Sequence, residues 1–313
     1  MRSKKRELNS LGGKPSRREA TRHHGTLRFP YDPGVSTLLL DETAAGAVEY
    51  KVGRWDCPNM NLSEFTERLN DRLDHDAYAD VDASPNGLQV GSADGTVDRA
   101  AFAVDGVEAT VREAAAADAD VLVVHHGFVW GGLDRVTGLE HDRIAACIEN
   151  DLRLYVSHLP LDGHGTLGNA AGVAAFLDCD IRAPFGEYGG VTIGQRARAK
   201  TPYSVAELEA RLSELDTGGR PVRTLEFGPE TVEEIAIVTG SGTDWIREAA
   251  DAGIDALVTG EGKQKAYHEA REAGLNVFFA GHYATETFGV RRLQELVDEW
   301  GIETTYVDHP TGL

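Results

Sequence analysis

Three apolar runs in this 313-residue chain end in histidine. Val121-Leu122-Val123-Val124 runs into His125-His126-Gly127. Leu154-Tyr155-Val156-Ser157 runs into His158 and then Leu161-Asp162-Gly163-His164. Val277-Phe278-Phe279-Ala280 runs into Gly281-His282-Tyr283-Ala284-Thr285-Glu286. Each run reads as a strand, and ligands of open α/β sheets collect outside the carboxyl ends of strands. Imidazole and carboxylate gathered there are donors for a divalent cation, and the mixture suits zinc, iron, manganese or nickel. His282 and Glu286, four apart at the start of a helix, project from one side of it as a chelating pair does. Gly281 before them lets backbone and metal come close. His125 and His126 would face opposite ways on an extended strand. At a strand end turning at Gly127 they instead grip one ion from two sides or serve two ions. On spacing alone, Asp162, His158 and His164 compete for the remaining position. Three imidazoles, one aspartate and one glutamate are too few to close two sites, and positions left for water mark a catalytic centre. A bridging glutamate would hold two cations ~3.5–4 Å apart, the arrangement that makes a nucleophile of water and clamps a substrate oxygen.

Other candidates are weaker. Glu261 follows the run ending Thr259-Gly260 and faces the same cleft or the solvent. His268 lies within a helix and reads as packing. Gly240-Ser241-Gly242 is a tight turn or a phosphate cradle at a helix start. His23-His24-Gly25 repeats the histidine string with no strand before it. A Gly-x-Ser-x-Gly elbow and a Gly-rich loop ending in Gly-Lys-Ser/Thr are both missing, which argues against serine hydrolases and P-loop nucleotidases.

The elements that must position these residues alternate. Strands over 100–104, 120–124 and 152–157 are followed by helices over 107–117, 142–150 and 169–177. After Pro184-Phe185-Gly186 come a half-exposed strand (191–199), a capped helix (204–215) and a strand (222–227). Alternation then resumes with strands 235–238, 256–259 and 276–280, helices 244–252, 263–273 and 283–300, and a closing strand 304–307. The pattern predicts an α/β fold of two lobes, residues 60–185 and 186–313, with mostly parallel or mixed sheets flanked by helices. The metal site is expected between the lobes at the carboxyl ends of strands.

Charge sharpens the picture. The chain has 31 Lys+Arg against 51 Asp+Glu, a net charge of −20. Residues 1–59 hold eleven basic against seven acidic side chains, which leaves twenty against forty-four in residues 60–313. Only Lys200, Lys263 and Lys265 remain there as lysines. A lysine-poor, carboxylate-rich surface suits a salty cytoplasm, where screening relieves self-repulsion, and the expectation is a halophilic source. The same field disfavours non-specific nucleic-acid binding. No apolar run approaches a membrane span, and the stretch 35–40 is too short and polar for a signal peptide; the expected location is cytoplasmic. Cys57, Cys147 and Cys179 show neither metal spacing nor a disulfide framework. Residues 1–59 are Arg-rich, broken by Gly and Pro, and end just before the chain's second methionine, Met60. They read as a disordered leader or a gene start placed too far upstream.

At its motifs the chain resembles the NIF-three-like proteins, the GTP cyclohydrolase type-two homologues. The resemblance rests on Asn86-Gly87-Leu88-Gln89-Val90, Val124-His125-His126-Gly127, His158-Leu159-Pro160-Leu161-Asp162, Thr259-Gly260-Glu261 and Gly281-His282-Tyr283-Ala284-Thr285-Glu286, in that order across about 60–310. It implies a ring-shaped homo-hexamer in its short form, with a two-metal centre facing an inner cavity. The implied ligands are His125, His126, Asp162, His282 and Glu286. His126 and Asp162 would hold one ion, His125 and His282 the other, and Glu286 would bridge. The resemblance thus decides for Asp162 over its neighbours and implies hydrolytic opening of a purine nucleotide ring.

Two functions follow as expectations. One is a hydrolase using two divalent ions per subunit on a nucleotide-like or other small polar substrate, with His158 or the second ion stabilising developing negative charge. The other is a non-enzymatic, ring-shaped regulatory or adaptor protein whose metal stabilises assembly.

Overall fold

The computed structural model describes residues 60–313; the leader assigned to residues 1–59 lies outside them. The chain runs β1 (Met60–Asn61), α1 (Leu62–Leu73), α2 (His75–Tyr78), β2 (Gly87–Val90), β3 (Thr96–Val97), β4 (Arg99–Asp105), α3 (Glu108–Ala116), β5 (Val121–His126), α4 (Leu139–Glu149), β6 (Arg153–Val156), α5 (Leu159–Gly163) and α6 (Asn169–Phe176). It continues with β7 (Cys179–Tyr188), β8 (Val191–Ser204), α7 (Val205–Leu212), β9 (Arg223–Leu225), β10 (Thr231–Ile237), a 3-10 turn (Gly242–Trp245), α8 (Ile246–Asp251), β11 (Ala256–Thr259), α9 (Lys265–Ala273), β12 (Asn276–Phe279), α10 (His282–Glu299) and β13 (Glu303–Tyr306).

Two mixed sheets organise these elements. The first has the order β13-β4-β5-β6-β2, parallel except for β2, which pairs antiparallel with β6. The second has the order β7-β8-β10-β11-β12-β9, with a parallel centre, β10-β11-β12, inside antiparallel neighbours. A β1–β3 pair stands apart. The central strands are buried along their whole length, as in Val121–Val124 and Ala256–Thr259, because helices cover both faces of parallel strands.

The sheets do not divide the chain at residue 185. The second sheet already begins with β7 at Cys179, and β13 returns to the first sheet beside β4. α10 explains the return. Its apolar face (Tyr283, Val290, Leu293, Val297) packs with Leu62, Phe65 and Leu69 of α1 and with Phe102 and Val123 of the first sheet. The eighteen-residue α10 carries the chain from β12 of the second sheet back to the first, where β13 pairs parallel with β4. α6 is wedged between α10 and the second sheet, with Ala170, Val173 and Ala174 fully buried. The seam between the sheets is therefore made by helices from both halves of the sequence.

Local signals hold up unevenly. Asn61 caps α1 by accepting from the Glu64 amide at 2.7 Å, and Glu64 turns its carboxylate to Arg68, so only half of a capping box is made. At α7 the box is complete: Ser204 and Glu207 satisfy each other's amides. α5 and β2 have no periodic signature. They are too short to show one, being five and four residues.

Candidate metal centre

The strand-end residues converge. β5 delivers His125 and His126, and their rings lie 4.5 Å apart, centroid to centroid, where the strand stops. β6 leads into His158 and, through α5 with Pro160 in its first turn, into Asp162. β12 leads through Gly281, at φ 94°, into His282 and Glu286 on the first turns of α10. The helix spacing brings His282 Nε2 within 3.1 Å of Glu286 Oε1.

What orients these rings is one repeated device. His125 Nδ1 donates to the Ser157 carbonyl at 3.0 Å. His126 Nδ1 meets Asp105 Oδ1 at 2.8 Å, His158 Nδ1 meets Asp82 Oδ1 at 2.8 Å, and His282 Nδ1 meets Glu261 Oε1 at 3.2 Å. An oxygen acceptor on Nδ1 holds a proton there and makes Nε2 the nitrogen that would meet a cation, as in carboxylate–histidine–metal arrangements. The three Nε2 atoms of His125, His126 and His282 then lie 3.1–3.5 Å from Glu286 oxygens. His125 Nε2 also lies 3.5 Å from Asp162 Oδ1. Donors bound to one ion at about 2.0–2.2 Å stand about 3–3.5 Å apart, so these separations fit a cation between them.

Two buried atoms reinforce the fit. His125 Nε2 and Glu286 Oε2 are shielded from solvent and have no hydrogen-bond partner. A buried polar atom without a partner is costly, and an ion would satisfy both. Asp162 is held by Asn169 Nδ2 at 2.9 Å and Thr239 Oγ1 at 2.8 Å, both to Oδ1. Charge is arranged in the same sense. Burial opposes the imidazolium of His125, but the Asp162 and Glu286 carboxylates outweigh it and push the group up to about 10. Burial likewise opposes charge on His282, and Glu286 and Glu261 raise it to about 9. Burial works against the Glu286 carboxylate too, yet His126, His282 and His125 hold it well below the usual range. The centre thus favours positive charge between its carboxylates.

The donor sets overlap. Donor atoms come within 4.8 Å of one another in the sets His125–Asp162–Glu286 and His126–His282–Glu286. Glu286 is common to both; its Oε1 faces His125 and His282, and its Oε2 faces His126. β5 ends beside β6 in register Val124↔Val156, so the fully buried His125 lies next to the strand that leads to Asp162. A third set, His125–His126–His158, places His158 at the edge of the same cluster.

The competitors separate cleanly. His164 turns away: its Nδ1 accepts from the amides of Thr166 and Leu167, and its Nε2 donates to the Arg72 carbonyl. Glu261 reaches the cluster through His282. His268 stays outside it, against Tyr267. Gly240-Ser241-Gly242 is a turn pressed against the cluster, where the Gly242 amide donates to Thr259 Oγ1 at 2.7 Å.

Asp82 and Asp105 were not among the residues singled out from sequence. Asp105 had a legible signal, an acidic residue closing the apolar run 100–104 as the histidines close theirs, and in the fold it stands in register with His126. Asp82 had none, because it lies in irregular chain. There its Oδ2 accepts from Asn86 Nδ2 and the Leu159 amide. Burial opposes its charge, but the bonds from His158, Asn86 and Ser84 hold it below the usual carboxylate range.

The cluster opens into a cleft of about 580 Å³ whose lining includes Asp105, His126, Trp130, Arg143, His158 and Trp245. The chain is 55% identical over 255 residues to the GTP cyclohydrolase 1 type 2 homolog of Halobacterium salinarum, spanning 81% of this chain and 100% of that protein. It is 43% identical to the protein of the same name from Archaeoglobus fulgidus, with the same coverage. Among solved structures, protein ybgI, described as of unknown function, superposes with a TM-score of 0.75 at 34% identity. TTHA1606 from Thermus thermophilus superposes at 0.73 and 35%. Each covers 81% of this chain and 100% of its own. Residues 60–311 match the Duf34/NIF3 (NGG1p interacting factor 3) family throughout, and the chain belongs to that family.

Proposed function

We propose that the protein is a metal-dependent hydrolase of a nucleotide-like or other small polar substrate, using two divalent ions per subunit held by His125, His126, Asp162, His282 and Glu286. The observation that carries this reading is the common orientation of the imidazoles: each Nδ1 is taken by an oxygen, and the Nε2 atoms turn toward one buried carboxylate. Asp162 would serve one ion and His282 the other, with His125 and His126 between them and Glu286 shared. Bound there, the ions supply Lewis acidity and a lowered pKa for water. The chain's own part is positioning. Asp105 and Glu261 fix His126 and His282, and Asn169 and Thr239 fix Asp162. His158, backed by Asp82, stands beside the cluster to hold or pass a proton at Nε2. The printed name of the curated relatives, GTP cyclohydrolase 1 type 2 homolog, supports a purine nucleotide as the first substrate to try.

A hexameric ring and a cytoplasmic location belong to the same proposal, as does adaptation to high salt, which the acidic, lysine-poor composition and the Halobacterium relative support. No helix among the described residues is long and apolar enough to cross a membrane. The test is metal content per subunit by plasma mass spectrometry, on protein purified in molar salt beside Glu286→Ala. Near two ions in the parent and a clear loss in the variant support the proposal. No retained metal after reconstitution overturns it.

A further inference from the structure

The cleft above the candidate centre is lined by the carboxylates of Asp105, Asp162 and Glu286 and by the imidazoles of His126, His158 and His282. Among its lining residues one side chain is a permanent cation, Arg143. Among the described residues it is the one arginine with a buried nitrogen that has no hydrogen-bond partner. Arg143 has no carboxylate partner among the described residues, and its Nε is shielded from solvent with no hydrogen-bond partner. The neighbour across it is the Phe128 ring, 6.0 Å from the guanidinium carbon. It sits on α4 one turn before the fully buried Cys147, so this face of the helix points inward. A guanidinium offers five donors in a planar fork suited to phosphate or carboxylate, and a shielded, unpaired donor is costly until an acceptor arrives.

Trp130 lines the same cleft. Its indole packs edge-on against His158 at 4.9 Å and lies 5.9 Å from His126, yet nearly half of the residue is exposed. A large ring anchored on the site histidines with an uncovered surface is a stacking platform for a planar group. In a chain whose residues 60–313 carry forty-four acidic side chains against twenty basic, an anion reaching this cleft needs a local cation.

We infer that Arg143 receives an oxyanion of the substrate while Trp130 covers its planar part, so the substrate joins a flat ring to a phosphate or carboxylate. This deepens the hydrolase reading and rests on it for the reaction, but the binding claim is testable apart from metal. Equilibrium dialysis would compare wild type, Arg143→Met, Arg143→Lys and Trp130→Ala. Each is taken both chelator-stripped and metal-reconstituted, with circular dichroism to check the fold. The probes are guanosine 5′-monophosphate, guanosine, inorganic phosphate and malonate. The expected result is a loss of about tenfold or more in monophosphate affinity in Arg143→Met, partly restored in Arg143→Lys. Guanosine binding should be indifferent to Arg143 and weakened in Trp130→Ala. Arg143-dependent binding of phosphate but not malonate points to a phosphate ester, and the reverse to a carboxylate. Equal monophosphate and malonate affinities in wild type and Arg143→Met, or no binding of any anion by wild type in either form, overturn the inference. A wild type that holds no metal overturns the hydrolase proposal instead, and the stripped protein still decides the role of Arg143.

Discussion

Gly240 offers a way to disturb the centre without touching a donor. It sits at φ +60°, and a Cβ built there would overlap Glu286 Oε1 and stand 3.1 Å from His282 Nε2. Gly240→Ala therefore does two things. It places a side chain in the left-handed region, at a cost of about 1 kcal/mol. It also drives the Glu286 carboxylate away by roughly 1 Å to regain van der Waals separation. That carboxylate is the far end of a flexible side chain, so the fold yields cheaply there. The donor set does not, because its separations of 3.1–3.5 Å fit an ion only with Glu286 in place. Gly253→Ala is the control: φ is +68°, and an added Cβ would meet nothing within 4 Å. The expected outcome is a similar small loss of stability in both variants and loss of bound metal in Gly240→Ala alone. Thermal unfolding after chelation measures the first, and metal content per subunit the second. Wild-type metal content in a folded Gly240→Ala would refute the assignment of Glu286 as the shared donor.

Other consequences are checked more quickly. Asp105→Asn should keep the fold but weaken metal binding about 10- to 100-fold, because His126 loses the carboxylate that fixes its ring; competition with a chromogenic chelator reads this directly. Burial lowers His75 to about 4, against partial support from Asp82 and Asp76, and its Nε2 lies 3.0 Å from Ser157 Oγ. The unfolded chain takes up a proton between pH 6.5 and 4 that the fold resists, so stability is fully present above this window and falls through it by about 3 kcal/mol. His75→Gln should flatten that part of the denaturant-midpoint profile, and an unchanged slope would count against the argument. Leu69 of α1 is fully buried between Phe65 and the α10 face, so Leu69→Ala should destabilise by about 2–5 kcal/mol in urea unfolding with metal content retained.

The alternation of strands and amphipathic helices was legible because each long element shows its own period: β4, β5, β11, β12 and α10 lie within a few residues of where the pattern put them. So was the concentration of histidine and carboxylate at strand ends, a local property of residues 125–126, 158–162 and 282–286. The His282–Glu286 approach follows from helix geometry alone. Which donors face each other was not local. The approach of His125 to Asp162 and of His126 to His282 depends on strand register and on the placing of α10, and those come from pairings far apart in the chain. The same holds for Asp82 and Arg143, whose meaning arises from what lies opposite them. It holds also for β13, which leaves the strands before it to rejoin the first sheet because α10 must bury its apolar face there. Periodicity and residue type are carried by neighbours in sequence, whereas register, tautomer and the absence of a partner exist only once distant segments have packed.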